Sequence, residues 1–217
     1  MRDNGPILAF DTSGPFCAAA LLRGGEVLWQ GDWQGARGQA EQLFPLLEDG
    51  LAQTGLTWAD LTRLGVGVGP GNFTGIRIAV SAARGLALSL GIPAIGVSRL
   101  EAQVLDAPRP AVSLVAAPRG SAYVQVFSAD SPRPPALHTA ADLLALKLPE
   151  NAPLLGVDPT AQAESLNRPI IAPRIPLAVA IARIAAQAPA DSPRPAPLYL
   201  RAADAAPASD PPPKILS

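Results

Sequence analysis

The apolar positions of this chain change period several times, and each change marks an element. Ile7 to Phe10 is a short unbroken apolar run and Phe16 to Leu22 a second, both of strand length. Arg23-Gly24-Gly25-Glu26 turns the chain into a third strand, Val27 to Trp33, because paired glycines supply the positive φ of a tight hairpin. From Gln39 to Thr54 the period lengthens. Leu43, Leu46, Leu47 and Leu51 recur at helical spacing, and Gly55 ends the helix. Leu64, Val66 and Val68 restore the strand pattern, Gly69-Pro70-Gly71 turns, and a helix with almost no polar residues runs to Leu90. Asn72 or Thr74 can cap it, since a short side-chain oxygen satisfies an orphan N–H of the first turn. Ala94 to Val97 follows Pro93 as a last strand of this half. A doubly wound fold would alternate strand and helix from the start, so three leading strands predict a mixed sheet.

Beyond Asp106 the pattern weakens. Ala107-Pro108-Arg109-Pro110 reads as a linker, because each proline removes a donor and biases its predecessor to extended geometry. Strands at Val112 to Val115 and Ala122 to Phe127 suggest the same theme repeated in eroded form. Helices are expected at Ala140 to Leu148 and at Leu177 to Gln187, the latter long enough to pack back on the first half. The expected organisation is an N-terminal lobe over 1–104, a smaller C-terminal lobe over 105–202, and an extended tail over 203–217 containing Pro211-Pro212-Pro213.

The segment Leu64 to Leu90 holds the candidate chemistry. Strand, turn and buried helix of an α/β unit would account for it. Yet a helix apolar or small nearly all round must be buried on more than one side, and in a small lobe the second side points to another subunit. Its only charges, Arg77 and Arg84, have no carboxylate near them on the helix. Ile76, Ala79, Val80, Ala83 and Ala87 form a stripe, with Gly75, Ala82 and Leu86 beside it, small enough for close helix approach. The expected interface is Asn72, Phe73, Thr74, Gly75, Ile76, Arg77, Ala79, Val80, Ala83, Arg84 and Ala87, with at least one arginine meeting an acceptor of the partner. Two phosphate loops fail here. After Gly75 come Ile76 and Arg77 where a P-loop needs Lys and Ser/Thr, and Asn72 stands where a dinucleotide fingerprint needs its last glycine.

The run Gly69-Pro70-Gly71-Asn72-Phe73-Thr74-Gly75-Ile76-Arg77-Ile78-Ala79 closely resembles the GPGSFTGLRIG signature of the bacterial TsaB (YeaZ) family. The opening Asp11-Thr12-Ser13, the run Ile92 to Ser98 followed by Leu100-Glu101, and Pro197-Leu198-Tyr199-Leu200-Arg201 resemble three further motifs of that family, in order. The resemblance covers most of 7–105 and a short C-terminal piece. It implies an actin/hexokinase-like (ASKHA, ribonuclease H-like) α/β mixed-sheet fold of two lobes, the second reduced. It also implies a non-catalytic subunit of the machinery that makes threonylcarbamoyladenosine beside the tRNA anticodon. Such a subunit binds and organises the catalytic paralogue TsaD, has TsaE as a further complex member, and pairs with itself in isolation.

Composition adjusts this picture only slightly. Seventeen basic against eighteen acidic residues argue against an autonomous, stable tRNA binder. The single Cys17 sits in an apolar strand pattern and reads as an inert buried thiol. The N-terminus lacks the pattern of a signal peptide and no apolar run approaches twenty residues, so a cytoplasmic protein off the membrane is expected.

In ATPases of the implied superfamily the turn equivalent to Asp11-Thr12-Ser13 faces phosphate and metal-bound water, although Asp and Ser in a turn also simply bond neighbouring N–H groups. A second phosphate loop is missing. Gly156-Val157-Asp158-Pro159 has its glycine on the wrong side, so the turn is expected to be a vestige, with no intrinsic cofactor and ATP or ADP bound only in the complex. His138 is the only histidine, and Gln39-Ala40-Glu41 stands where the family has a degenerate His-Ser-Glu, so no metal site and no catalytic residue is expected. Ala116-Ala117-Pro118-Arg119 departs from the family's Asp-Ala-Arg-Arg. Two other readings stay open: a minimal ATP phosphotransferase or hydrolase using Asp11, and a homodimeric scaffold without a role in RNA modification.

Overall fold

The computed structural model describes residues 5–129, 131–157 and 160–200, which leaves the expected tail, Arg201 and Asp158-Pro159 outside. Strands β1 (Pro6–Asp11), β2 (Phe16–Arg23) and β3 (Glu26–Gln34) form an antiparallel meander. The glycines at the β2–β3 turn adopt the expected positive φ, 59° at Gly24 and 92° at Gly25. Helix α1 (Gln39–Thr54) follows and ends on a left-handed Gly55, whose N–H caps the last carbonyls. Then come β4 (Arg63–Gly67), α2 (Phe73–Leu90), β5 (Ala94–Val97) and the short α3 (Arg99–Gln103). The first sheet has the order β3-β2-β1-β4-β5, with β4 and β5 parallel to β1.

A second sheet has the order β10-β9-β6-β7-β8. Its members are β6 (Ala111–Ala116), β7 (Ala122–Phe127), β8 (Ala136–His138), β9 (Leu154–Leu155) and β10 (Ile170–Ile171). Helices α4 (Ala140–Ala145) and α5 (Thr160–Leu166) are its crossovers, and α6 (Leu177–Gln187) closes the described fold. The helix expected over Ala140 to Leu148 stops three residues early, while α3, α5 and the three short strands were not anticipated.

Both faces of the first sheet are covered. On one, Leu8, Phe10, Leu64 and Val66 pack with Leu43, Leu47 and Leu51 of α1 and Ile76, Ala79, Val80 and Ala83 of α2. On the other, Ile7, Ala9 and Ile95 pack with Ala178, Ile181, Ala182 and Ala185 of α6. Arg63 anchors α6 by donating to the carbonyls of Ala185 at 2.7 Å and Ala188 at 2.5 Å. By length and composition alone α2 could cross a membrane, with 18 residues at a mean hydropathy of 1.2. Here its apolar stripe faces the chain's own sheet, and its other face carries Arg77 and Arg84.

This packing corrects the expected interface. Gly75, Ile76, Ala79, Val80 and Ala83 are buried within the chain, and Ala87 is half-buried against the same core. Periodicity identifies residues that share a face, and the partner of this face is the sheet beneath it.

Candidate functional site

Two neighbouring features grow from the turn Gly69-Pro70-Gly71. The first is the buried turn after β1. Asp11, Thr12 and Ser13 have 0%, 0% and 1% exposure, so they lie on no open surface. Asp11 Oδ1 accepts from the Ser13 N–H at 2.6 Å, Thr12 Oγ1 donates to the Gly75 carbonyl at 2.6 Å, and the Asn72 N–H donates to the Ser13 carbonyl at 2.7 Å. Three glycines let the turn pack this closely. A Cβ on Gly67 would stand 1.6 Å from Asp11 Oδ2, one on Gly71 2.3 Å from the Ser13 carbonyl, and one on Gly75 1.9 Å from the Thr12 carbonyl. Asp11 Oδ2 and Ser13 Oγ are buried with no hydrogen-bond partner among the described residues. Nearby, burial pushes the Cys17 thiol up to about 11, with the Asp11 carboxylate adding to the effect. Gln39, at the position of the degenerate motif, is buried and donates to the Gly14 carbonyl at 3.1 Å.

The second feature is the outer face of α2. Asn72 caps the helix, accepting from the Gly75 N–H at 2.9 Å, while Thr74 stays exposed on the first turn. Phe73, Thr74, Arg77, Ser81, Arg84, Gly85 and Leu88 share the exposed side. Phe73 stacks on Tyr199 with ring centroids 5.0 Å apart, and the Arg77 guanidinium lies 3.9 Å above the Phe73 ring. Residues 195–199 run along this face as a strap. The Leu198 N–H donates to the Val68 carbonyl at 2.8 Å, Arg77 Nε to the Tyr199 hydroxyl at 2.9 Å, and Arg84 Nε to the Pro195 carbonyl at 2.7 Å. Both helix arginines thus find acceptors inside the chain, where the sequence had suggested a partner's group. Tyr199, Gly85 and Leu88 share this exposed face but were not among the expected interface residues. The Pro197-Leu198-Tyr199 motif was visible in the sequence, but nothing local shows that it docks on α2.

Elsewhere, His138 is half-buried on the edge strand β8. Ala117, Pro118, Arg119 and Gly120 form the β6–β7 turn, where Arg119 has a φ of 61° and an exposed side chain.

The TsaD family model, described as tRNA N6-adenosine threonylcarbamoyltransferase, matches residues 34–188. An uncharacterized protein of Mycobacterium tuberculosis is 34% identical over 207 residues, 93% of this chain and 94% of its own. The tRNA threonylcarbamoyladenosine biosynthesis protein TsaB of Escherichia coli (strain K12) is 39% identical over 94 residues, 43% of this chain and 40% of its own length. The chain is a TsaB-like member of the TsaD family. YeaZ from Pseudomonas aeruginosa shares the fold at a TM-score of 0.67 and 23% identity, over 83% of this chain and 90% of that one. The fold is therefore the actin-like mixed-sheet architecture in two sheets. Relation to TsaB and TsaD implies involvement in threonylcarbamoyl modification of tRNA. Within a TsaB-like chain, the GPG turn is the joint between the sealed Asp11 loop and the exposed helix.

Proposed function

We propose that this chain is a non-catalytic partner subunit in the N6-threonylcarbamoylation of tRNA adenosine. It would engage a catalytic paralogue of the TsaD type through the outer face of α2. The observation that carries this reading is the set of large apolar groups exposed on that face. Phe73 is 47% exposed, Tyr199 45% and Leu88 83%, and a Cβ at Gly85 would meet nothing within 4 Å. Large aromatic and aliphatic groups beside open room for a close-packed neighbour suit a protein interface. In isolation the same face would pair with its own copy across a two-fold axis. TsaE would be a further member of the complex, working with it in the cytoplasm.

The sealed turn favours a supporting role over chemistry. A carboxylate that is to orient metal-bound water on a nucleotide must be reachable, whereas Asp11 is fully buried beneath the Gly67 backbone. The β6–β7 turn, Ala117-Pro118-Arg119-Gly120, supplies no carboxylate from the facing sheet. Any ATP or ADP of the complex would thus depend on the paralogue.

The test is capture of the catalytic paralogue from the same organism by Gly85→Trp and Leu88→Glu chains. Both positions are exposed, so circular dichroism and melting should stay near wild type while capture falls at least tenfold. Normal capture by both variants overturns the interface. ATP turnover by the isolated chain, abolished in Asp11→Ala, would instead support the phosphotransferase reading.

A further inference from the structure

The face of the first sheet opposite α1 and α2 carries a cleft. It has a volume of about 260 Å³ and lies between β2, α3 and the segment leading into α6. Ala18, Ala102, Val157, Ile175 and Leu177 supply apolar walls, and Gln34, Arg99 and Gln103 supply polar groups; Arg99 and Gln103 belong to α3. These two stand at i and i+4 of α3 and therefore share one helix face.

Each carries a buried nitrogen that finds no acceptor among the described residues. Gln103 is 3% exposed. Its Oε1 accepts from the Ser113 hydroxyl at 2.8 Å, which leaves the amide Nε2 buried and unpartnered. Arg99 Nε is likewise buried without a partner, and its guanidinium lies 5.5 Å from the centre of the Phe16 ring. A buried donor left unmade is costly to a fold, and the two side chains that carry such donors line one cleft. Burial holds the Arg99 guanidinium below its ordinary value, and the Asp11 carboxylate acts in the opposite direction.

We propose that this cleft binds a small monocarboxylate with an apolar body, its oxygens held by Arg99 and Gln103 and its body against Ala102, Ile175 and Leu177. Two adjacent donors, one of them a guanidinium fork, match a planar carboxylate. A phosphate dianion fits less well. The apolar walls would leave its remaining oxygens unsolvated. The cleft volume equals the share of roughly nine waters in the liquid, which suits a ligand much smaller than a nucleotide. This inference is independent of the partner role, because the cleft lies on the other side of the sheet.

Benzoate is the probe, with benzyl alcohol as its neutral counterpart and inorganic phosphate as the anion without an apolar body. Nuclear magnetic resonance of the full chain should show saturable benzoate shifts at the Arg99 Nε–H and the Gln103 side-chain amide. Benzyl alcohol and phosphate at equal concentration should leave both in place. Arg99→Met and Gln103→Glu should weaken the response at least tenfold. Val157→Trp, a change at an exposed position of the rim, should block it in a folded chain. Absence of saturable shifts, an equal response in Val157→Trp, or tighter binding of phosphate than of benzoate each overturns the proposal.

Discussion

The two sheets repeat one topology at two levels of completeness. Renumbered from its own first strand, the second sheet has the same order as the first, with an antiparallel meander on one side and two parallel strands on the other. In the first sheet the third strand has 9 residues and the crossover helices have 16 and 18. Their counterparts in the second have 3, 6 and 7. Prolines at 132, 134, 135, 149 and 153 remove ladder donors and cut the second set short. Strand order therefore tolerates severe shortening, while the turn chemistry does not transfer. The first sheet buries Asp11-Thr12-Ser13 under three glycines, whereas the second exposes Arg119 beside Gly120, which has a φ of 71°. The helix that follows each sheet packs towards the other: α3 lies against β6, and α6 covers β1, β2 and β4.

That exchange makes the sheets one cooperative unit, and the largest expected effects test it. Leu8→Ala in the first core and Leu114→Ala in the second should each cost about 2–5 kcal/mol. Trp29, Trp33 and Trp58 all lie with the first sheet, so their fluorescence reports that half. In denaturant, fluorescence and far-UV circular dichroism should shift together in both variants. A Leu114→Ala chain that loses ellipticity while its tryptophan signal stays put would break the unity of the two halves.

The two turns can be compared directly. Gly75→Ala drives a methyl into the Thr12 carbonyl, a backbone group that cannot swing away, and should cost about 3 kcal/mol. Gly120→Ala meets only the Ala140 methyl at 3.4 Å, and its penalty is the left-handed backbone alone, about 1–2 kcal/mol. Equal losses in chemical denaturation would show that the glycine cradle is no tighter than an ordinary turn.

The same contrast explains what the sequence revealed. Helices α1 and α2 were legible to the residue because strong signals bound them, Gly55 and Asn72 among them. Two of the first four strands, β1 and β2, carried continuous apolar runs. The short β8, β9 and β10 were hidden because two or three residues among prolines carry no period. The expected interface lay on a stripe of α2 that the structure buries within the chain. Ala79 and Ala83 suggested close approach by another helix, yet they serve the chain's own sheet. Arg99 and Gln103 escaped notice because a five-residue helix has no amphipathic signature, and an unmet donor is visible only in three dimensions.

Alkaline pH should act on the first sheet in particular. An unfolded Cys17 thiol ionises near 9.0, whereas the folded one holds its proton to about 11. Between those values the unfolded chain has released a proton that the native chain retains, so stability is intact below pH 9 and falls as pH rises. At about 1.4 kcal/mol per pH unit the loss approaches about 2 kcal/mol by pH 11. Cys17→Ala should flatten this slope relative to wild type in denaturation at stepped pH. An unchanged slope would show that the thiol is not shielded by β2.

The smallest effect separates the two sides of α2. Gly85 sits mid-helix at an exposed position where an added methyl has open space. Glycine in a helix interior costs about 0.5–1 kcal/mol relative to alanine, so Gly85→Ala should stabilise the isolated chain by that amount. Ala83→Gly, on the buried side, should do the opposite, and by more, because it also removes a packed methyl from the core. If the proposed partner packs close to α2, the gain at Gly85 in the free chain should be offset on binding, as the new methyl meets the neighbour's backbone. Thermal melts of the free chain and affinity for the catalytic paralogue would then move in opposite directions. A variant that is both more stable and equally well bound would place the contact elsewhere along the helix, towards Phe73 and Tyr199.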